Sequence, residues 1–201
     1  MRRWELCAIF GVLCALLGGF WLGEEQGELA DRVIRFHVMA NSDSPEDQAL
    51  KLQVRDAVLA QAEELYPEGA DLETARTALE RHLGELAQAG REAVSAAGGD
   101  DPVTASLEQC WFPTKEYDGF ALPAGEYTAL RIVIGEGAGQ NWWCVAFPPL
   151  CLGAASETVE EAAALGHFSQ EQAALITEQD SGYVLKFKSL ELLGKLQRLL
   201  P

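Results

Sequence analysis

The sequence predicts an α+β sandwich: a mostly antiparallel sheet packed against two N-terminal helices, with a helical C-terminal tail and an apolar helix ahead of the whole. Three observations predict it. Residues 33–40, 103–112, 126–134 and 141–147 alternate or are rich in β-branched and aromatic residues, as half-buried strands are. Two long stretches between the first and second of these place apolar residues at helical spacing. The resulting order, β-α-α-β-β-β and then helices, is that of an α+β domain.

The first strand is Val33–Ala40, with Ile34, Phe36, Val38 and Ala40 on one face and Val33, Arg35, His37 and Met39 on the other. If helices cover only the first face, Arg35, His37 and Met39 line an available surface. Asn41 to Asp47 is a turn into a helix: Ser44 is a natural N-cap, Pro45 fits the first helical position and Asp47 sits at N3. That helix runs to about Leu65 on a stripe of Leu50, Val54, Ala57, Val58 and Leu65, with Asp47, Lys51 and Arg55 at four-residue spacing on a more polar side. A second helix is expected over about Asp71–Ala97, weakened by Gly84 and Gly90.

Val103–Phe112 reads as a strand and Pro113–Gly125 as a connecting loop. Glu126–Ile134 and Asn141–Phe147 read as two strands of a β-hairpin joined by the Gly-rich turn Gly135–Gln140. Beyond Cys151, residues 156–165 and 169–178 have helical composition, 183–188 read as a strand and 190–200 as a Leu-rich helix.

The chain has 201 residues, 15 Lys plus Arg against 31 Asp plus Glu, and a net charge of −16. At 48% hydrophobic and 23% charged it has the composition of a globular protein. Its acidity argues against nucleic-acid binding, which needs clustered Lys and Arg to neutralise phosphates. Arg2 and Arg3 precede an uncharged run from Leu6 to Leu22, followed by Glu24, Glu25 and Glu28. This is the pattern of an export segment, either a cleaved signal peptide or an uncleaved anchor. The expected organisation is thus residues 1–22 as signal peptide or signal anchor, 23–31 as a tether, and 32–201 as one extracytoplasmic domain. Outside the segment lie Cys110, Cys144 and Cys151. Cys144 and Cys151, seven apart around Pro148-Pro149, are the better disulfide pair, the alternative being three buried free thiols.

No chemical motif is convincing. The turn GEGAGQN opens onto Trp142-Trp143 in a strand, whereas phosphate loops open onto a helix. His37, Ser42 and Asp43 are the residue types of a hydrolytic triad, but crowd into one strand and its turn. His37, Asp43, Asp47 and His82 lack the short spacing of a metal motif. The sequence thus leads to no catalytic residues, no metal and no cofactor. The alternative is an exported hydrolase using His37 with Ser42 or Cys144.

The segments VIRFHVMANSDSPEDQALKLQVRDAVL (33–59) and FPTKEYDGFALPAGEYTALRIVIGEGAGQNWWCVAFPPLC (112–151) resemble the stage II sporulation protein R family. The resemblance implies a secreted signalling protein of endospore-forming Firmicutes, made in the forespore and exported across its membrane into the intermembrane space. There, secreted or N-terminally anchored, it would activate a membrane-embedded aspartic protease of the mother cell that processes the sigma-E precursor. It would meet the extracytoplasmic face of that protease and touch membrane only through its N-terminal segment. Motif position and expected exposure nominate Arg35, His37, Asn41, Asp43 and Asp47 of the first segment, and Tyr117, Tyr127, Trp142 and Trp143 of the second, as partner-binding residues.

Overall fold

The computed structural model describes residues 30–148 apart from 68, 118 and 119. The expected N-terminal apolar helix, Cys151 and the C-terminal helices and strand lie outside the described residues. Among the described residues no helix is long and apolar enough to cross a membrane.

The elements in chain order are β1 (Ile34–Met39), α1 (Pro45–Leu65), α2 (Leu72–Arg81), α3 (Leu83–Ala96), β2 (Val103–Phe112), β3 (Lys115–Tyr117), β4 (Phe120–Leu122), β5 (Gly125–Ile134) and β6 (Asn141–Phe147). Helix α1 starts where its signals place it. Ser44 is extended and its side chain accepts from the Asp47 amide, and Pro45 occupies the first turn. The expected second helix is two helices that break at His82, whose ring nitrogen Nδ1 makes a 2.7 Å hydrogen bond with the Ala78 carbonyl at the end of α2. Gly90 has a packing role: a Cβ there would lie 2.7 Å from the Val103 side chain, so glycine lets α3 cross close over β2.

The fold class is α+β, but the sheet is mixed. Its order is β2-β5-β1-β6. Pairs β2/β5 and β1/β6 are antiparallel, whereas β1/β5 is parallel, with His37 opposite Arg131. The expected β5–β6 hairpin does not form, because β1 inserts between its two arms. The sequence expected only a loop at 113–125, yet β3 and β4 pair there as a small antiparallel hairpin.

All three helices pack on one face. Ile34, Phe36 and Val38 of β1 and Leu130, Ile132 and Ile134 of β5 form the main core with Val54, Val58 and Leu59 of α1, Leu79 of α2, and Leu86 and Val94 of α3. The opposite face is only partly open. At one end Phe112, Leu122, Tyr127, Ala129, Val145 and Val33 build a second apolar cluster, which the β3–β4 hairpin helps to close. The expectation that Arg35, His37 and Met39 line an available surface is corrected for the first two: Arg35 is fully buried and His37 is 7% exposed, whereas Met39 is half-buried.

Candidate functional site

Strand alternation places Arg35, His37 and Met39 on the sheet face away from the helices. Arg35 sits under the hairpin. Its Nε donates to the Cys144 carbonyl at 3.1 Å and its Nη2 to the Tyr117 hydroxyl at 2.8 Å. The guanidinium lies 4.3 Å from the Phe112 ring centroid and 4.9 Å from that of Tyr127. Planar cations are stabilised over aromatic faces, more so when water is excluded. Arg35 Nη1 has no hydrogen-bond partner among the described residues. The cage also shapes its tyrosines. Burial pushes Tyr127 up to about 12, the nearby Arg35 charge opposing, and Tyr127 donates to the Pro123 carbonyl at 2.7 Å. Burial likewise raises Tyr117 against the same opposing charge.

His37 stacks on Trp143 with ring centroids 4.0 Å apart and planes 11° from parallel, and meets Phe112 edge-on at 6.0 Å. Neither ring nitrogen makes a hydrogen bond of ordinary geometry. Burial lowers its pKa below the usual value near 6.5. The Asn141 side chain opposes this, Arg131 adds to the lowering, and Glu108 opposes it. Next along the face, Arg131 pairs with Glu108 at 2.9 Å and donates to the Met39 sulfur. Lys115 of β3 reaches over Trp143 at 5.9 Å.

A pH dependence follows. Folded His37 is held neutral while the unfolded residue takes a proton near 6.5, so the unfolded state binds more protons and stability falls as pH drops below that value. His37→Phe, which keeps an aromatic ring against Trp143, is expected to flatten the fall in melting temperature between pH 6.5 and roughly 5, above the main carboxylate range. Thermal unfolding of both proteins across that window checks it.

The polar residues of the first segment do something else. Asn41 Nδ2 and the Ser42 hydroxyl donate to one Asp47 carboxylate oxygen, at 3.1 and 2.5 Å. These bonds, Ser42 foremost, hold the Asp47 carboxyl below its usual range. Asn41 Oδ1 accepts from the Glu136 amide and Asp43 from the Gln140 amide. Buried Lys51 donates to the Gln140 carbonyl at 3.0 Å and to Gln48 at 2.6 Å. Together they clamp the Gly-rich turn against the 41–44 turn. Gly135 and Gly137 take positive φ, and a Cβ on Gly139 would strike the Ser42 carbonyl.

Of the nominated residues, Arg35, His37, Tyr117, Tyr127 and Trp143 therefore converge on one aromatic–cationic centre. Asn41, Asp43 and Asp47 form the turn clamp. Trp142 stands apart at the β6 edge, 37% exposed, under the Arg55 guanidinium at 4.4 Å. Sequence reading missed Phe112, Lys51 and Arg131. Phe112 ends an alternating strand and so belongs to the face of the cage, and that signal was available. Nothing local marked Lys51 as buried.

No nucleophile–base pair is assembled from the residues proposed for one. Ser42 donates to Asp47, His37 lies buried on the sheet face against Trp143 and Phe112 with neither Ser42 nor Cys144 as a hydrogen-bond partner of its ring, and Cys144 is disulfide-bonded. Its expected partner, Cys151, is outside the described residues, and Cys110 is a free thiol. Among the described residues, no group of three or more His, Cys, Asp or Glu side chains is placed to hold a metal ion.

Fold and site together define a small α+β protein with a mixed sheet, whose polar residues secure a buried cation and a strand-crossing turn. A family model described as Stage II sporulation protein R matches residues 30–157, well over half of the sequence, and the chain belongs to that family. Stage II sporulation protein R of Bacillus subtilis (strain 168) is 39% identical over 123 residues. The alignment covers 61% of this chain and 55% of that protein, so the match spans little more than half the length of the relative. No solved structure matches. The protein thus has a place in sporulation.

Proposed function

We propose that this protein is an exported sporulation signal. It crosses the forespore membrane, and its folded domain binds the extracytoplasmic face of a membrane-embedded aspartic protease of the mother cell. Binding stabilises the active arrangement of that protease through higher affinity for that state, and the protease then shortens the sigma-E precursor. The observation that carries this reading is the family match across both sequence segments. The arrangement of His37, Ser42 and Cys144 supports a binding role over the hydrolase alternative, since none of the three touches another in a way that would activate a nucleophile.

The test is reconstitution in a host that does not sporulate, with this protein, the membrane protease and the sigma-E precursor co-expressed. The expected result is a shortened sigma factor only when this protein is present and exported. Equal processing without it, or none with all three proteins made, would overturn the reading.

A further inference from the structure

Arg35 is fully buried, yet its acceptors are a carbonyl and a hydroxyl, both neutral, and no carboxylate among the described residues pairs with it. Nη1 has no acceptor among those residues. Taking a guanidinium out of water costs more than neutral acceptors and ring faces return. Nearly all buried polar atoms find a partner, so an unmatched one on a buried cation needs a cause. Filling space does not supply that cause, because methionine fills nearly the same volume without the charge. What arginine adds is one unmatched, positively charged donor between aromatic walls.

The surroundings show from which side that donor is reached. Phe112 and Tyr127, two of the three rings around the guanidinium, are 0% and 1% exposed, whereas Tyr117 is half-buried. Tyr117 belongs to β3, a three-residue strand that pairs among the described residues with β4 and not with the main sheet. A side chain on so short a ladder turns aside at less cost than one in the main sheet. Alternation puts Lys115 on the same side of β3 as Tyr117, and its ammonium stands over the Trp143 ring. An anion approaching beside Tyr117 therefore meets a second positive charge, in a chain whose net charge is −16.

We propose that Arg35 Nη1 is the anchor for a carboxylate, which enters beside Tyr117 and accepts from that nitrogen. A planar, singly charged acceptor suits one donor nitrogen, whereas a phosphate needs more donors than this site presents. The bond is charge-assisted and shielded from water, which makes it a strong one. The acid belongs either to the protein that receives the signal or to this chain outside residues 30–148. In the first case the site deepens the signalling role proposed above and rests on it.

The test uses the full chain with Arg35→Met in the co-expression host. A loss of processing of about tenfold or more is expected from a folded, exported variant, the effect of one lost charge-assisted bond. Single Asp→Asn and Glu→Gln changes, in the extracytoplasmic loops of the protease and in residues 149–201 of this chain, then locate the acid. The one that meets Arg35 gives the same loss and adds nothing when combined with Arg35→Met. Found in the protease, it makes the ligand the partner's; found in this chain, it makes the contact internal. Wild-type processing by Arg35→Met overturns the inference, as do losses that add in full for every acid. If Arg35→Met does not fold, a crystal structure of the wild-type complex decides, and a water with no carboxylate at Nη1 overturns it. A wild-type protein that gives no processing overturns the signalling role and leaves the internal contact to be read on the free chain. There, a carboxylate held by Arg35 is stabilising above its unfolded pKa, so the wild type loses stability relative to Arg35→Met as pH falls from about 5 to 2. Parallel curves in that case overturn the site as well.

Discussion

Arg35→Ala is expected to destabilise the domain by about 3–5 kcal/mol, among the largest single-residue effects in the molecule. The side chain is fully buried, and its removal leaves a void between Phe112, Tyr117 and Tyr127. It also removes the donor from which the Tyr117 hydroxyl and the Cys144 carbonyl accept. The charge itself is a different matter. No carboxylate among the described residues pairs with Arg35, and one of its nitrogens has no acceptor. A buried cation held this way costs desolvation that aromatic faces repay only in part. Arg35→Met keeps most of the volume and removes the charge, so it should cost only about 1–2 kcal/mol. Urea unfolding followed by tryptophan fluorescence separates the two. Equal, large losses would mean that the charge, and not the filled volume, holds this end of the sheet.

The second large effect lies at the turn clamp. Gly139→Ala is expected to cost about 2–4 kcal/mol, because the new Cβ meets the Ser42 backbone and not a flexible side chain that could swing away. Relief requires the two turns to separate, which loses the 2.9 Å bond from the Gly139 amide to the Ala40 carbonyl and the 2.7 Å bond from the Gln140 amide to Asp43. Gly84→Ala in α3 is the contrast: nothing lies within 4 Å of a Cβ there, and the change should stabilise by about 0.5 kcal/mol through helix propensity and reduced unfolded-state freedom. The same unfolding series measures both.

Local signals in the sequence specified local structure well. The Ser44–Pro45–Asp47 signature gave the start of α1, and alternation gave the bounds of β1, β2, β5 and β6 to within a residue or so. Strand order was not legible. The 135–140 turn looks like the loop of a hairpin, and only the residues far upstream that clamp it, Asn41, Asp43 and Lys51, show that it bridges a gap filled by β1. Turn chemistry reports that the chain reverses, and not which strand lies between the arms. The β3–β4 hairpin did have a signal. Asp118-Gly119, between Tyr117 and Phe120, is a strong short-range hairpin dipeptide. That hairpin, in turn, decides the fate of the candidate site. By helping to close one end of the second face it turns Arg35 and Tyr127 from expected contact residues into interior ones. What remains accessible on that face is its other half, with Thr104, Glu108 and Asn141 at the surface.

The central claim is that the domain acts by being bound and not by catalysis of its own. It is tested most directly by comparing Ser42→Ala and His37→Phe with the wild type in the co-expression host, with export and folding of each variant verified. The account predicts sigma-factor processing within about twofold of wild type for both, since neither side chain is asked to do chemistry. Abolished processing by either variant, with the protein folded and exported, would contradict the account and place a nucleophile or base in the first sequence segment.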